Sequence, residues 1–365
     1  NARLDNLESV SKTVFRRMDN EGIFASPSLL KSEILKELKG PKKKTSRRKS
    51  SVSFFEFIDQ IIQESKDGSR LTTTGNKYAK GTITGYIKAR NWLYEFQKSR
   101  KSRITFDSIN RDFYNKYVNF LYNSGLSKNT VGGYIKNLKV FLNEAFDRGI
   151  TTKMEFKKKW FRVLQEETEA TYLSQEELAR IIDLDLSDNP RMDLVRDNFV
   201  LDCLIGLRIA DYNNLRKDHI TEVKGVKIIK IRMQKTGNIV VIPLNQTALK
   251  ILEKHNYELR TYSGQHMNRE LKKLAELAGI NKSFNKSITR HGESQEETKE
   301  KYFYITNHTA RRSFATNLYL ADVPTLDIMQ MTGHKTERAF LSYIRVTPEE
   351  NAIRVSKKHD FFAVN

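Results

Sequence analysis

The chain has 365 residues, with 64 Lys and Arg against 44 Asp and Glu for a formal charge of +20, and 38% of its residues are apolar. That length suits two or three domains, the apolar share argues against a wholly disordered chain, and the basic excess points to a polyanionic partner. Nucleic acid is preferred over membrane, because 20 Phe, 15 Tyr and 2 Trp are scattered rather than gathered into one amphipathic anchor. The single cysteine, Cys203, excludes an internal disulfide and a cysteine-rich metal site, and implies a reducing compartment. Apolar runs such as 238–244 are far shorter than a membrane span, and the N-terminus lacks the apolar core of a secretory signal. The expectation is a soluble protein.

Residues 1–38 read as two helices, with Leu4, Leu7, Val10 and Val14 on one face of the first and Leu29, Leu30, Ile34 and Leu38 on the second. Residues 39–51 are basic, contain Gly40-Pro41 and offer nothing to bury, so they read as a linker. From 52 to 152 the pattern is an all-α bundle. Tyr86, Ala89, Leu93 and Phe96 share a face, as do Phe106, Ile109, Phe113, Tyr117 and Phe120, and then Val131, Leu138, Phe141 and Ala145. Lysines and arginines from Lys88 to Lys139 decorate the polar side. A second basic stretch, 153–171, reads as an interdomain linker. It ends where Ser174 and Glu177 form a capping box and open the last domain, 172–365. Within that domain an apolar helix is expected over 193–205. Strands follow at 227–233 and 239–244 around the turn 234–238, with another turn at 223–226. Helices resume at 247–254, 268–278 and from Thr309 onward, while 282–300 lacks periodicity and reads as a loop. The fold class expected is mainly α with a small antiparallel sheet.

Four clusters in the last domain could carry chemistry. Arg208 emerges from the apolar run ending at Gly206 and is therefore partly buried, needing an anionic partner, with Asp211 available as a structural one. Lys235 stands at the tip of the two-strand turn, where it is either a solvated surface lysine or one delivered to a phosphate or leaving oxygen. His308 and Arg311 share one side of a helix beside the buried stripe Ala310, Phe314 and Leu318, while Arg312 points well away. His334 follows Thr332-Gly333, and Tyr343 comes nine residues later. Taken singly, each cluster has an ordinary structural reading. Together, two arginines, two histidines, a lysine and a tyrosine are what cleavage of a phosphodiester by a tyrosine nucleophile requires. Guanidinium groups hold the non-bridging oxygens and stabilise the transition-state charge. A tyrosine of ordinary pKa near ~10 needs that field and a proton acceptor, and the departing oxygen needs a proton.

Residues 206–211, 235, 308–317 and 332–346 resemble the motif boxes of the tyrosine recombinase (phage integrase) family. The run His-Thr-Ala-Arg-Arg-Ser-Phe-Ala-Thr-Asn-Leu is most similar to integrases of Bacteroidetes mobile elements. Leu126-Ser-Lys-Asn-Thr130 and the helix after it resemble the family's core-binding (SAM-like) domain. The resemblance implies an all-α core-binding bundle followed by a mixed α/β catalytic domain. It implies that Arg208 and Arg311 clamp the scissile phosphate, Lys235 is the general acid and His308 assists proton transfer. His334 would hydrogen-bond the phosphate, Tyr343 form the 3′-phosphotyrosyl link, and Asp211 buttress Arg208. It further implies a site-specific recombinase of a mobile element, acting on duplex DNA as a homo-tetramer through a Holliday junction. No metal, ATP or other cofactor is expected; accessory DNA-bending or excision factors and a bacterial, cytoplasmic, nucleoid-associated location are. Arg312 and Arg345 depart from the family, standing where many members have histidine. Members commonly carry a further arm-binding domain at the N-terminus, and residues 1–38 are expected to be helices following one. The tail 353–364, with Phe361-Phe362, is read either as a contact to a neighbouring subunit or as a cap on its own domain. A type IB topoisomerase-like enzyme and a non-catalytic DNA-binding regulator are the alternative readings.

Overall fold

The computed structural model describes residues 2–38, 52–259 and 262–358. It divides into two compact units, residues 1–167 with 288–295, and residues 168–287 with 296–365. The basic stretch 39–51 and Phe361-Phe362 lie outside the described residues.

In the first unit, α1 (Ala2–Asn20) and α2 (Pro27–Leu38) pack through Val14, Met18, Ile23 and Leu29, and this small core continues onto Phe146 and Met154. Leu4 and Leu7, expected to share the buried face of α1, are exposed. The reason is length: 12 residues of α2 cannot cover 19 of α1 at 1.5 Å per residue. The four helices α3 (Phe54–Asp67), α4 (Lys80–Arg100), α5 (Arg111–Asn123) and α6 (Lys128–Asp147) form the bundle. Ser53 and Glu56 start α3 with a capping box, and Gly68 ends it in the left-handed region. Aromatic rings fill the centre; Phe96 lies 5.5 Å from Phe113 and 5.1 Å from Tyr117, centroid to centroid.

The segment after α6 belongs to this core. Phe156 and Phe161 are buried in the bundle, Asn129 exchanges two 3.0 Å hydrogen bonds with the backbone of Glu166, and the division between the units falls after Glu167. The lysines that make 153–171 look like a tether therefore surround two buried phenylalanines. Leu164 passes so close to α6 that a Cβ on Gly132 would lie 1.8 Å from its carbonyl oxygen.

The second unit is built around α8 (Pro190–Ile205), which follows α7 (Gln175–Ile182) and leads to the short α9 (Ile209–Tyr212). Strands β1 (Ile220–Val223), β2 (Val226–Arg232) and β3 (Ile239–Pro243) form an antiparallel sheet in that order, with Ile231 opposite Val240 and Ile229 opposite Ile242. Those four side chains are buried against α8 and its neighbours, the alternation expected of a sheet with one wet face. Then come α10 (Gln246–Lys254), α11 (Gly264–Leu277), β4 (Ser283–Arg290), β5 (Glu293–Glu300), whose turn-proximal residues 288–295 belong to the first unit, α12 (Asn307–Leu320), α13 (Thr325–Thr332), α14 (Glu337–Leu341) and α15 (Pro348–Lys358). The fold is mainly α with small antiparallel elements. No helix among the described residues is long and apolar enough to cross a membrane.

Another sequence expectation fails. Residues 282–300 are not a loop but contain the paired strands β4 and β5. Nearly every position of β5 is exposed, so no apolar alternation marks the pair. Its signal is the turn: His291 and Gly292 both have positive φ, at 51° and 84°, as a two-residue hairpin turn of the inverse type demands. Lys224-Gly225, at 50° and 79°, joins β1 to β2 in the same way.

Neighbouring glycines of α6 should respond oppositely to alanine. Gly133 has open space where a Cβ would go, so Gly133→Ala should stabilise by about 0.5–1 kcal/mol, the ordinary helix gain. Gly132→Ala must displace Leu164 and should cost about 1–3 kcal/mol net. Denaturant midpoints at unchanged slope are the measurement, and equal shifts for the two variants contradict this packing.

Candidate active site

Arg208 is placed by a corner. α8 ends on Gly206 in the left-handed region (φ 61°), whose N–H donates to the Asp202 carbonyl at 2.7 Å, and Arg208 then caps α9. Only glycine fits, because a Cβ there would lie 2.2 Å from the Phe314 ring. Tyr212 ties α9 back to α8 through its hydroxyl, which donates to Asn198 Oδ1 at 3.0 Å. Arg208 is half-buried, and its Nη1 is buried without a partner.

Arg311 sits one turn into α12 and is 1% exposed. Its Nη1 donates to the Gly206 carbonyl at 2.7 Å, its Nη2 donates to the Thr332 carbonyl, and Nη2 also lies 3.4 Å from His334 Nε2. One guanidinium thus joins three distant stretches of sequence. α12 is itself anchored: Ser313 Oγ accepts from Leu173 N–H at 2.8 Å, and Asn317 Nδ2 donates to the Leu173 carbonyl at 3.0 Å. His308 lies in the first turn of the same helix, where the helix dipole adds positive potential.

His334 follows the left-handed Gly333 that ends α13. Thr332 Oγ donates to the Ile328 carbonyl at 2.6 Å and lies 2.8 Å from His334 Nδ1. With the hydroxyl proton committed to Ile328, Nδ1 must be the donor in this pair, which leaves Nε2 bare toward Arg311. Tyr343 lies in the turn after α14, its ring centroid 4.7 Å from His334, 5.8 Å from His308 and 5.6 Å from the Arg311 guanidinium carbon. Lys235 is exposed at the tip of the turn between β2 and β3, within electrostatic reach of His308.

Asp211 does not do what was expected of it. It forms no ion pair with Arg208. It is 1% exposed, and its Oδ1 accepts from the Gln234 N–H at 2.7 Å, gripping the hairpin one residue before Lys235. Sequence reasoning also missed Asp202, a buried acid below the corner. Burial pushes its carboxyl well above the usual carboxylate range, against the opposing pull of Arg311's charge and of a hydrogen bond from Leu207 N–H. Its signal was a lone carboxylate inside the apolar stretch Phe199–Ile205, one turn before Gly206.

Positive charge therefore dominates the site. Burial, and then Arg208, lower Arg311 to about 10, so it remains charged at neutral pH. Burial, followed by the charges of Arg311 and Arg208, pushes His334 down to about 4. Burial, followed by Arg312, Arg311, Arg208 and Lys235, lowers His308 as well. Both imidazoles are neutral at pH 7, and the arrangement favours an anion.

This has a measurable consequence. Between the ordinary imidazole value of 6.5 and about 4, the unfolded chain binds a proton that folded His334 refuses. Stability is therefore full above that window and falls as pH drops through it. After discounting for solvent screening of a partly exposed ring, His334 should account for roughly 1–2 kcal/mol of the loss between pH 7 and pH 4. Unfolding free energies should fall less steeply with acid in His334→Gln; identical acid dependence contradicts the assignment.

Comparisons with known proteins agree on the family. Residues 53–161 match the model of the phage integrase SAM-like domain, and residues 171–350 match that of the phage integrase family. The chain is 22% identical over 267 residues to the tyrosine recombinase XerA of Pyrococcus horikoshii, covering 66% of this chain and 90% of that protein. A lambda integrase tetramer bound to a Holliday junction has a similar fold, with a TM-score of 0.59, 18% identity and 87% of each chain covered. So does the Tn1549 transposon integrase in complex with circular intermediate DNA, with a TM-score of 0.57, 16% identity, and 84% of this chain and 99% of that one covered. Matched in order along most of its length, the chain belongs to the tyrosine recombinase, or phage integrase, family of site-specific DNA recombinases.

Proposed function

We propose that this protein is the integrase of a mobile element, cutting and rejoining duplex DNA at specific sites through a 3′-phosphotyrosyl intermediate. The observation that carries the reading is the convergence of Arg208, Arg311, His308 and His334 around Tyr343, with no carboxylate among the described residues paired to either arginine. The Tyr343 oxygen attacks the scissile phosphorus, the bond to the 5′ oxygen breaks, and the strand is held as a phosphate ester of the tyrosine. His308, neutral at pH 7, accepts the phenol proton, and Lys235 protonates the leaving 5′ oxygen. Arg208 and Arg311 hold the non-bridging oxygens. A bound phosphate offsets the charges of Arg311 and Arg208 that, after burial, hold His334 low, so it favours protonation of His334 and turns its Nε2 from acceptor toward donor. Bond energy is conserved in the protein–DNA ester, so the reaction runs without ATP.

The bundle 52–152 and the catalytic domain 172–365 bind the duplex, and four copies exchange strands through a Holliday junction. The solved relatives on junction and transposon DNA support this assembly by likeness of fold. Accessory DNA-bending or excision factors set direction, and the protein acts on nucleoid DNA in the bacterial cytoplasm.

A nicked duplex spanning the element's joined ends traps the covalent intermediate. Wild type should form an adduct that migrates with the protein in denaturing gels, and Tyr343→Phe should form none; an adduct retained in Tyr343→Phe sinks the assignment. Lys235→Ala should lower the cleavage rate on ordinary DNA by roughly 100-fold or more. It should recover most of that rate when the bridging 5′ oxygen is replaced by sulfur, which leaves without a proton; equal impairment on both substrates removes Lys235 from the acid role.

A further inference from the structure

Partly buried arginines in this chain usually meet a counter-charge. Arg70 pairs with Glu144, Arg90 with Asp59, Arg196 with Asp193 and Asp197, and Arg354 with Asp322, while Arg100 lies over the rings of Phe96 and Phe113. Arg208 and Arg311 break the pattern for a reason already given. Two others break it as well. Arg312 and Arg345 are both half-buried, and among the described residues neither guanidinium makes a hydrogen bond or an ion pair.

The backbone brings them together. Arg312 and Thr316 are four residues apart on α12 and so share a face. Thr316, fully buried, accepts a hydrogen bond through its Oγ1 from the Arg345 N–H at 3.2 Å, which pins the segment just after Tyr343 to that face. Arg345 Nε is buried there without a partner. The two cations feel each other: burial, and then Arg345, hold the Arg312 guanidinium below its ordinary value, while Tyr343 acts in the opposite sense. Two like charges held close, each partly stripped of water and neither neutralised, destabilise the free protein. An anion supplied from outside removes that cost.

We propose that Arg312 and Arg345 form a second phosphate subsite, taking the DNA backbone phosphate that adjoins the one attacked by Tyr343. The subsite rests on the DNA-cleaving reading above and extends it. Arg311 faces the scissile phosphate, and Arg312, turned about 100° around the helix from it, faces the neighbour. Planar guanidiniums suit this role, because each can present two N–H groups to one phosphate. The pair flanks the nucleophile on both sides in sequence space, through α12 and through the segment that follows Tyr343. Holding the adjoining phosphate fixes the strand's direction across the tyrosine oxygen, which sets the in-line approach.

The test uses a duplex that wild type cleaves, with one neutral methylphosphonate placed in turn at each phosphate flanking the scissile one. Binding is measured in the Tyr343→Phe background, so that cleavage does not intrude. At one flanking position neutralisation should weaken binding of the parent roughly tenfold. At that position it should cost the Arg312→Gln/Arg345→Gln double variant nothing further. On unmodified DNA the double variant should show a slope of log affinity against log salt shallower by about 0.9. The paired lysine replacements should keep that slope, which separates lost charge from damaged packing. Sensitivity to every flanking position equal to the parent's, with an unchanged slope, overturns the subsite. So does a double variant that keeps its phosphate sensitivity but no longer assembles on DNA, since the pair then meets an acidic surface of a second copy. Failure of the underlying reading looks different: wild type then forms no covalent adduct on any duplex.

Discussion

The second unit depends on one buried guanidinium. Arg311 is almost wholly enclosed and donates to the carbonyls of Gly206 and Thr332, so the corner that carries Arg208 and the helix end that carries His334 are positioned by the same side chain. Those two carbonyls come from C-terminal ends of helices, where unpaired oxygens and the negative end of the dipole accumulate. A cation placed there satisfies acceptors that the helices cannot satisfy themselves. The catalytic arrangement is therefore continuous with the core, and the strain of burying a charge is offset by structure the fold needs in any case.

The same burial explains the electrostatics. Asp202 and Asp211 are the acids near the arginines, and neither neutralises them by direct pairing: Asp202 faces Leu207 N–H and Asp211 faces Gln234 N–H. Arg208, Arg311 and Lys235 leave an unbalanced positive field whose reach is recorded in the lowered values of both histidines. Such a field costs stability in the free protein. In the proposed reaction an entering phosphate offsets it, so affinity for the anion would be stored in the repulsion among the residues that receive it.

Much of this was legible in the sequence because the informative residues interrupt apolar runs. Arg208 after Phe199–Ile205, and Arg311 beside Ala310 and Phe314, are charges where the helix period demands a half-buried side chain, and the structure brings both to one place. The turn 234–238 was legible from composition, and with it the position of Lys235. What was hidden has physical causes. β5 is exposed at nearly every position and β4 carries few apolar residues, so their pairing rests on backbone hydrogen bonds that leave no clear apolar period in the side chains. Phe156 and Phe161 were masked by the lysines around them. The partner of Asp211 could not be read at all, because it is a backbone N–H, and every residue but proline has one.

The site separates what must be rigid from what must move. In the reaction we propose, the groups that hold the phosphate come from helix ends locked by hydrogen bonds: Arg311 on two carbonyls, and His334 oriented through Nδ1 by a threonine whose own proton is committed. The groups proposed to exchange protons or bonds are set differently. Lys235 is exposed on a turn that Asp211 grips only at its base, and Tyr343 follows a helix of five residues, with no hydrogen bond from its hydroxyl to another described residue. Under the proposed roles, a lysine fixed as tightly as Arg311 could not follow an oxygen that leaves, and a tyrosine so fixed could not carry a strand. A transition state stabilised by preorganised charge needs the opposite of its clamp, which must not relax as charge develops. Asp211 bridges the two regimes: it fixes the start of the lysine turn to the helix that follows Arg208, so the proposed acid stays near the proposed clamp while its ammonium remains exposed.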